Sequence, residues 1–181
     1  MSAKVCFVTG SGRRIGASII RKFASEGYAV LIHVSTSLHA GELLKSELVE
    51  NGCKADVLQA DLSDENQTSQ LLENIRKHPF VIERNGIDVL VHNASVYSQV
   101  PIEKLSLETM RFLNRLHIEA PLQISQGLYP LLSAVRGSII ALTDTSAGKA
   151  WDQLSHYTSS KAGLRQLMLN LAGEYLSLIH I

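Results

Sequence analysis

Residues 5–16 read VCFVTGSGRRIG. Val5, Phe7 and Val8 form a short apolar run that ends at Thr9-Gly10, and apolar residues at helical spacing follow at Ile15, Ile19, Ile20 and Phe23. The pattern predicts a buried strand, a tight turn and the first turn of a helix, which is how a βαβ unit opens. Gly10 and Gly12 are expected to let the backbone turn sharply and approach a ligand, and Gly16 to let the helix lie close on the sheet. Unpaired N–H groups and partial positive charge at such a helix start suit a pyrophosphate. A bare βα turn with no ligand uses the same glycines, so this stretch decides the fold before it decides a function.

The rest of the chain fits one domain. At 181 residues and 45% hydrophobic content it can bury a substantial core. Seventeen basic and seventeen acidic side chains cancel, so no global field favours nucleic acid or an anionic membrane. The longest apolar run is far short of a membrane span, and the first strand starts too near Met1 for a signal peptide, which predicts a cytoplasmic protein. Cys6 and Cys53 form no C-x-x-C pair and sit in no His/Cys cluster. Neither a disulfide framework nor a metal site is expected, and both thiols read as reduced and structural.

Read in order, 18–27 completes the first helix and 28–34 (YAVLIHV) is a second strand apolar enough to be buried on both faces. An amphipathic helix over 38–51 stops at Asn51-Gly52, a third strand covers 55–59 and a helix covers 63–77. A fourth strand at 87–91 leads to one long or two consecutive helices over 105–133, with Pro121 bending the run or opening its second half. A fifth strand spans 137–142, and a last helix holds Tyr157 and Lys161 and continues to about 175. The alternation predicts an α/β fold, a doubly wound, Rossmann-like parallel sheet flanked by helices, in a single domain over 1–175.

After the second strand, where such folds place a carboxylate for the adenosine ribose, stand Ser35, Thr36 and Ser37. Three hydroxyls can donate to a 2′-phosphate, and Arg13 or Arg14 can supply the counter-charge, which favours NADPH over NADH. The same hydroxyls could instead cap the next helix. Asp61 suits the start of the helix after it. Thirteen residues separate Asp144 from Tyr157, and Lys161 follows four later, so phenol and ammonium share a helix face. A neighbouring lysine charge is expected to lower the phenol's pKa and make it a usable acid/base.

The motif T-G-x-x-x-x-I-G, followed by His92-Asn93-Ala94-Ser95 and by Y-T-S-S-K at 157–161, resembles the short-chain dehydrogenase/reductases in order and spacing. Arg13-Arg14 and the aspartate at 144 are similar to the pteridine and dihydromonapterin reductase branch. The resemblance implies a cofactor cradle of Gly10, Gly12, Arg13, Arg14, Ile15, Ser35, Thr36, Ser37, Asp61, Leu62, Asn93, Ala94 and Ser95, with Tyr157 and Lys161 at the nicotinamide end. It places Arg14, Ser95, Tyr97, Asp144 and Tyr157 on the substrate, Tyr97 stacking on a flat ring, although exposed loop tyrosines are also common. It implies catalytic roles for Tyr157, Lys161 and Asp144. His117, where the family often carries a kink-forming asparagine, becomes a proton-relay candidate, while His92, in place of a family asparagine, reads as a packing residue.

Asp144 stands where most of the family has a serine that donates to a ketone oxygen. An ionised carboxylate cannot donate, and it would repel a developing alkoxide. The change suits a nitrogen heterocycle with N–H groups and a C=N bond, so NADPH-dependent reduction of a dihydropterin or dihydrofolate is the expected activity. The alternatives are a ketone or 3-oxoacyl reductase in which Thr145 or Ser146 replaces the serine, and an NADP-binding protein without catalysis. Relatives commonly form dimers or tetramers and continue with further C-terminal strands and a substrate lid. The chain is therefore expected to be a fragment lacking those strands, poorly soluble at its exposed fifth strand, with residues 176–181 a tail unlike the family.

Overall fold

The structure is a computed structural model and describes residues 2–175. The expected tail lies outside the described residues. Five strands, β1 (Val5–Val8), β2 (Ala29–Val34), β3 (Ala55–Gln59), β4 (Val89–His92) and β5 (Ser138–Ala141), form one sheet in the order β3-β2-β1-β4-β5. Every pairing is parallel. Successive strands leave β1 on one side and then on the other, so the order reverses between β1 and β4. Their carboxyl ends therefore open a crevice at a topological switch point, the place where ligands of such sheets bind.

Period-two alternation divides the strand residues between two cores. Val5, Phe7, Leu31 and Leu90 face one layer with Leu71, Ile75, Ile124, Leu128 and Leu164. Cys6, Val8, Val30, Ile32 and Val91 face the other with Ala17, Ile20, Leu44 and Leu48. Every residue of β1, β2 and β4 is buried, as a sheet covered on both faces requires. The two thiols are free, and burial pushes that of Cys6 far up.

The helices are α1 (Arg14–Ser25), α2 (Leu38–Glu50), α3 (Glu65–Arg76), α4 (Pro79–Arg84), α5 (Leu107–Asn114), α6 (Ala120–Val135) and α7 (Ser155–Glu174). Three differ from the sequence expectation. α3 starts at Glu65 because the carboxylate of Asp64, not Ser63, accepts the N–H groups of Asn66 and Gln67. α4 was not anticipated: six residues opened by Pro79, with the His78 ring accepting the Phe80 N–H. The break within 105–133 is a π-helical segment, Arg115–Glu119, that was not anticipated, while Pro121 opens the second helix, α6, in its first turn, as one of the two expected readings had it. Among the described residues no helix is long and apolar enough to cross a membrane, and no group of three or more metal-ligating side chains occurs.

Candidate active site

The turn after β1 is built against the loop after β4. Gly10 has φ 61°, and a Cβ there would lie 2.8 Å from the Ala94 Cα, so only glycine lets the two loops touch. The other two glycines also stand where a side chain would clash. A Cβ on Gly12 would meet Val34 Cγ1 at 2.7 Å, so Gly12 admits the end of β2. One on Gly16 would lie 2.6 Å from the Gly10 carbonyl oxygen, Ser11 Cα and Asn93 Nδ2, so the missing side chain lets the first turn of α1 close on the glycine turn while Ala17 and Ile20 pack on the sheet. Arg14 takes the left-handed φ of 51° without being glycine, a conformation costing on the order of 1 kcal/mol that clusters at functional sites.

Asn93 ties this turn down. Its amide Nδ2 donates to the Thr9 and Gly10 carbonyls at 2.9 Å each, and Thr9 Oγ1 accepts the N–H groups of Asn93 and Ala94. The start of α1 stays open: Arg13 makes no side-chain cap, and the first turn carries no acidic residue. Among the described residues, neither Arg13 nor Arg14 forms an ion pair.

A cleft of about 410 Å³ runs along this edge. It is lined by Gly10, Gly12, Arg13, Arg14, Ile15, Ser35, Thr36, Ser37, Asp61, Leu62, Asn93, Ala94 and Ser95, the expected cradle short of Tyr157 and Lys161. His33, Val34, Val96, Phe112 and Leu116 also line it and were not anticipated. Ser37 sits at the N-cap position of α2, yet its side chain makes no capping bond, which leaves its hydroxyl for the cleft. Asp61 Oδ1 accepts from the N–H and hydroxyl of Ser63 at 2.9 and 2.7 Å, so it shapes the loop while lining the cleft.

A second cavity of about 420 Å³ is lined by Tyr97, Asp144, Ser146, Trp151 and Tyr157, among others. The Tyr157 hydroxyl donates to Asp144 Oδ2 at 3.0 Å, and Asp144 Oδ1 accepts the Ser146 N–H at 2.8 Å. Ser146, whose N–H donates to it, and after it Tyr157, hold the Asp144 carboxyl below the usual carboxylate range. Burial first, then the bond to Asp144, pushes the Tyr157 phenol up to about 12. This reverses the expected lysine-driven depression. Lys161 Nζ is buried, donates to the Leu142 carbonyl at 3.0 Å and lies 5.9 Å from the centre of the Tyr157 ring, and burial lowers its own pKa.

Tyr97, 60% exposed, meets Tyr157 edge-on with ring centres 5.1 Å apart. His117 meets it similarly at 5.9 Å. His117 is wholly buried in the π-helical segment, and burial, then the Lys161 charge, pushes its pKa down to about 3. Its Nδ1 is 2.8 Å from Ser160 Oγ, whose own proton goes to the Tyr157 carbonyl, and its Nε2 faces the Val96 N–H at 3.4 Å. With both ring nitrogens engaged by protein, the geometry fits a brace between the loop after β4 and α7 better than a relay that needs a free nitrogen for water. His92 packs in the core against Ser125 Oγ at 2.9 Å. Thr143 and Thr145 are exposed and Ser146 is buried. A further buried histidine, His156, reaches Ser98 Oγ at 3.1 Å on the loop that carries Tyr97.

A nucleotide-sized cleft over a glycine turn, beside a Tyr-Lys pair at the sheet's carboxyl edge, defines a nicotinamide-type oxidoreductase fold. The profile of the short chain dehydrogenase family matches residues 4–179, past Tyr175, and the chain belongs to that family. An uncharacterized oxidoreductase of Thermotoga maritima is 32% identical over the whole chain, which spans 68% of that relative. Two further curated relatives are spanned over 62% and 40% of their lengths. A metagenomic short-chain oxidoreductase solved with NADP superposes with a TM-score of 0.88 at 26% identity, covering 99% of this chain and 80% of that one. The FolM alternative dihydrofolate reductase 1 of Brucella canis, complexed with NADP, superposes at 0.84 with 28% identity, covering 98% and 69%.

Proposed function

We propose that the chain is the cofactor-binding and catalytic part of an NADPH-dependent reductase acting on a dihydropterin or dihydrofolate. The observation that carries the substrate class is the Tyr157–Asp144 bond: a carboxylate, not a hydroxyl donor, shares the pocket of the phenol. The NADP complexes of the metagenomic and Brucella relatives support the cofactor, and the latter's name supports the substrate class.

The residues fit NADPH. The Gly10 turn brings backbone to the pyrophosphate position, the open start of α1 offers N–H groups, and no carboxylate stands at Ser35, Thr36 and Ser37 to repel a 2′-phosphate. Arg13 and Arg14 supply positive charge at the same mouth. Bound there, NADPH supplies a hydride. Asp144 accepts N–H bonds from an amino-substituted ring and orients it, while Tyr97 covers its face. Tyr157 would give a proton to the ring nitrogen of the reduced C=N bond. Lys161 beside the ring steadies the resulting phenolate.

The test is NADPH oxidation by the full-length protein with dihydrofolate, dihydrobiopterin and dihydromonapterin, run beside acetoacetyl thioesters. Turnover of at least one pterin is expected; turnover of thioesters alone would assign a ketone reductase instead.

A further inference from the structure

His33 is the one polar side chain in the otherwise apolar β2, is 1% exposed, and touches both walls of the nucleotide cleft. Its Nδ1 accepts the Gly10 N–H at 2.9 Å, and its Nε2 lies 3.0 Å from the Ala60 carbonyl, one residue before Asp61. Its main chain is held as firmly. Ser11 N–H donates to the His33 carbonyl at 2.8 Å, and the His33 N–H donates to Ser11 Oγ at 3.1 Å.

These partners permit a single protonation state. A backbone N–H can only donate and a carbonyl can only accept, so the ring must be neutral, with its hydrogen on Nε2. Burial agrees, pushing the ring's pKa down to about 4. The bond from Gly10 also orients the peptide at the left-handed residue, the point where the turn comes nearest the loop after β4. We infer that His33 is a positioning residue for the dinucleotide: one imidazole sets the distance between the phosphate turn and the adenine wall, so the cleft is organised before cofactor arrives. The affinity consequence rests on the NADPH reading above.

Two residue types separate the ring's two bonds. Asparagine places an acceptor where Nδ1 stands and can keep Gly10, whereas leucine keeps bulk and loses both partners. For the full-length protein, His33→Leu is expected to weaken NADPH about tenfold in fluorescence titration, with KM for NADPH rising in parallel and kcat at saturation unchanged. His33→Asn is expected to recover most of that loss. A ring that served only to fill space would show the reverse, with leucine tolerated and asparagine harmful.

Nitrogen NMR of histidine-labelled wild-type protein at neutral pH decides the tautomer without any variant, and hydrogen on Nε2 is expected. Hydrogen on Nδ1, or leucine binding NADPH within about twofold of wild type, overturns the role of the ring. If leucine fails to fold, the asparagine titration and the wild-type tautomer still decide. A wild type that shows the expected tautomer and binds no NADPH overturns the cofactor reading, and the affinity role with it, while leaving the ring's geometry intact.

Discussion

Asp144 and Tyr157 share a hydrogen bond, and each shifts the other's proton affinity. The phenol at about 12 is protonated at neutral pH, and the carboxylate that accepts its hydrogen bond is ionised. Asp144→Asn removes the charge while keeping the shape. The phenol should then titrate below about 12, yet above the ordinary value of about 10, because burial remains. Phenolate absorbance against pH measures this, and an unmoved titration would show that burial alone sets the value. In the full-length protein the same substitution should lower kcat/KM on a dihydropterin about a hundredfold. The thirteen-residue and four-residue spacings made Asp144, Tyr157 and Lys161 legible in the sequence. The direction of the phenol's shift was not, because desolvation depends on residues packed from elsewhere in the chain. The bracing roles of Thr9 and His33 escaped notice for a related reason: their decisive partners lie 84 and 23 residues away.

Turns and caps set the next scale. Gly10→Ala forces a side chain into a left-handed position and against Ala94 backbone, and should cost about 1–3 kcal/mol in urea unfolding while displacing the phosphate turn. A loss under a few tenths would mean that the two loops part easily. At the start of α3, Asp64→Ala should lower the urea midpoint by the same measurement, since two N–H groups lose their acceptor. Strands and long helices were readable here because hydrophobic period is a local property. The six-residue α4 was not, since His78 caps it from a ring held by Asp56 Oδ2 at 3.0 Å. The π-helical segment was signalled only by the resemblance, at the kink position His117: Pro121 is the obvious breaker in the sequence, but the wide turn lies before it, where His117 braces the loop after β4 against α7.

At the scale of the whole molecule, three buried histidines among the described residues stay neutral far below their ordinary range: His33 at about 4, and His92 and His117 at about 3. Folded, they bind no proton until that range is reached; unfolded, they take one up near pH ~6.5. The unfolded state therefore binds more protons as pH falls from 6.5 toward 4, and stability must fall with it. For three such groups the slope approaches roughly 4 kcal/mol per pH unit below about pH 6. Urea midpoints at successive pH values should drop steeply across this window, and the drop should shrink when His92 is replaced by asparagine; a flat profile would contradict the burial.

The alternation of strands and helices, the glycine turn, and the order of the Thr-Gly, Asn-Ala and Tyr-Lys motifs were determined by the sequence alone, because periodicity and turn chemistry act over a few residues. The strand order, the contact between the Gly10 and Ala94 loops, the histidine braces and the upward shift of the Tyr157 phenol were decided only by the tertiary structure. Each of these depends on which distant groups exclude water from one another, and neighbours along the chain do not specify that.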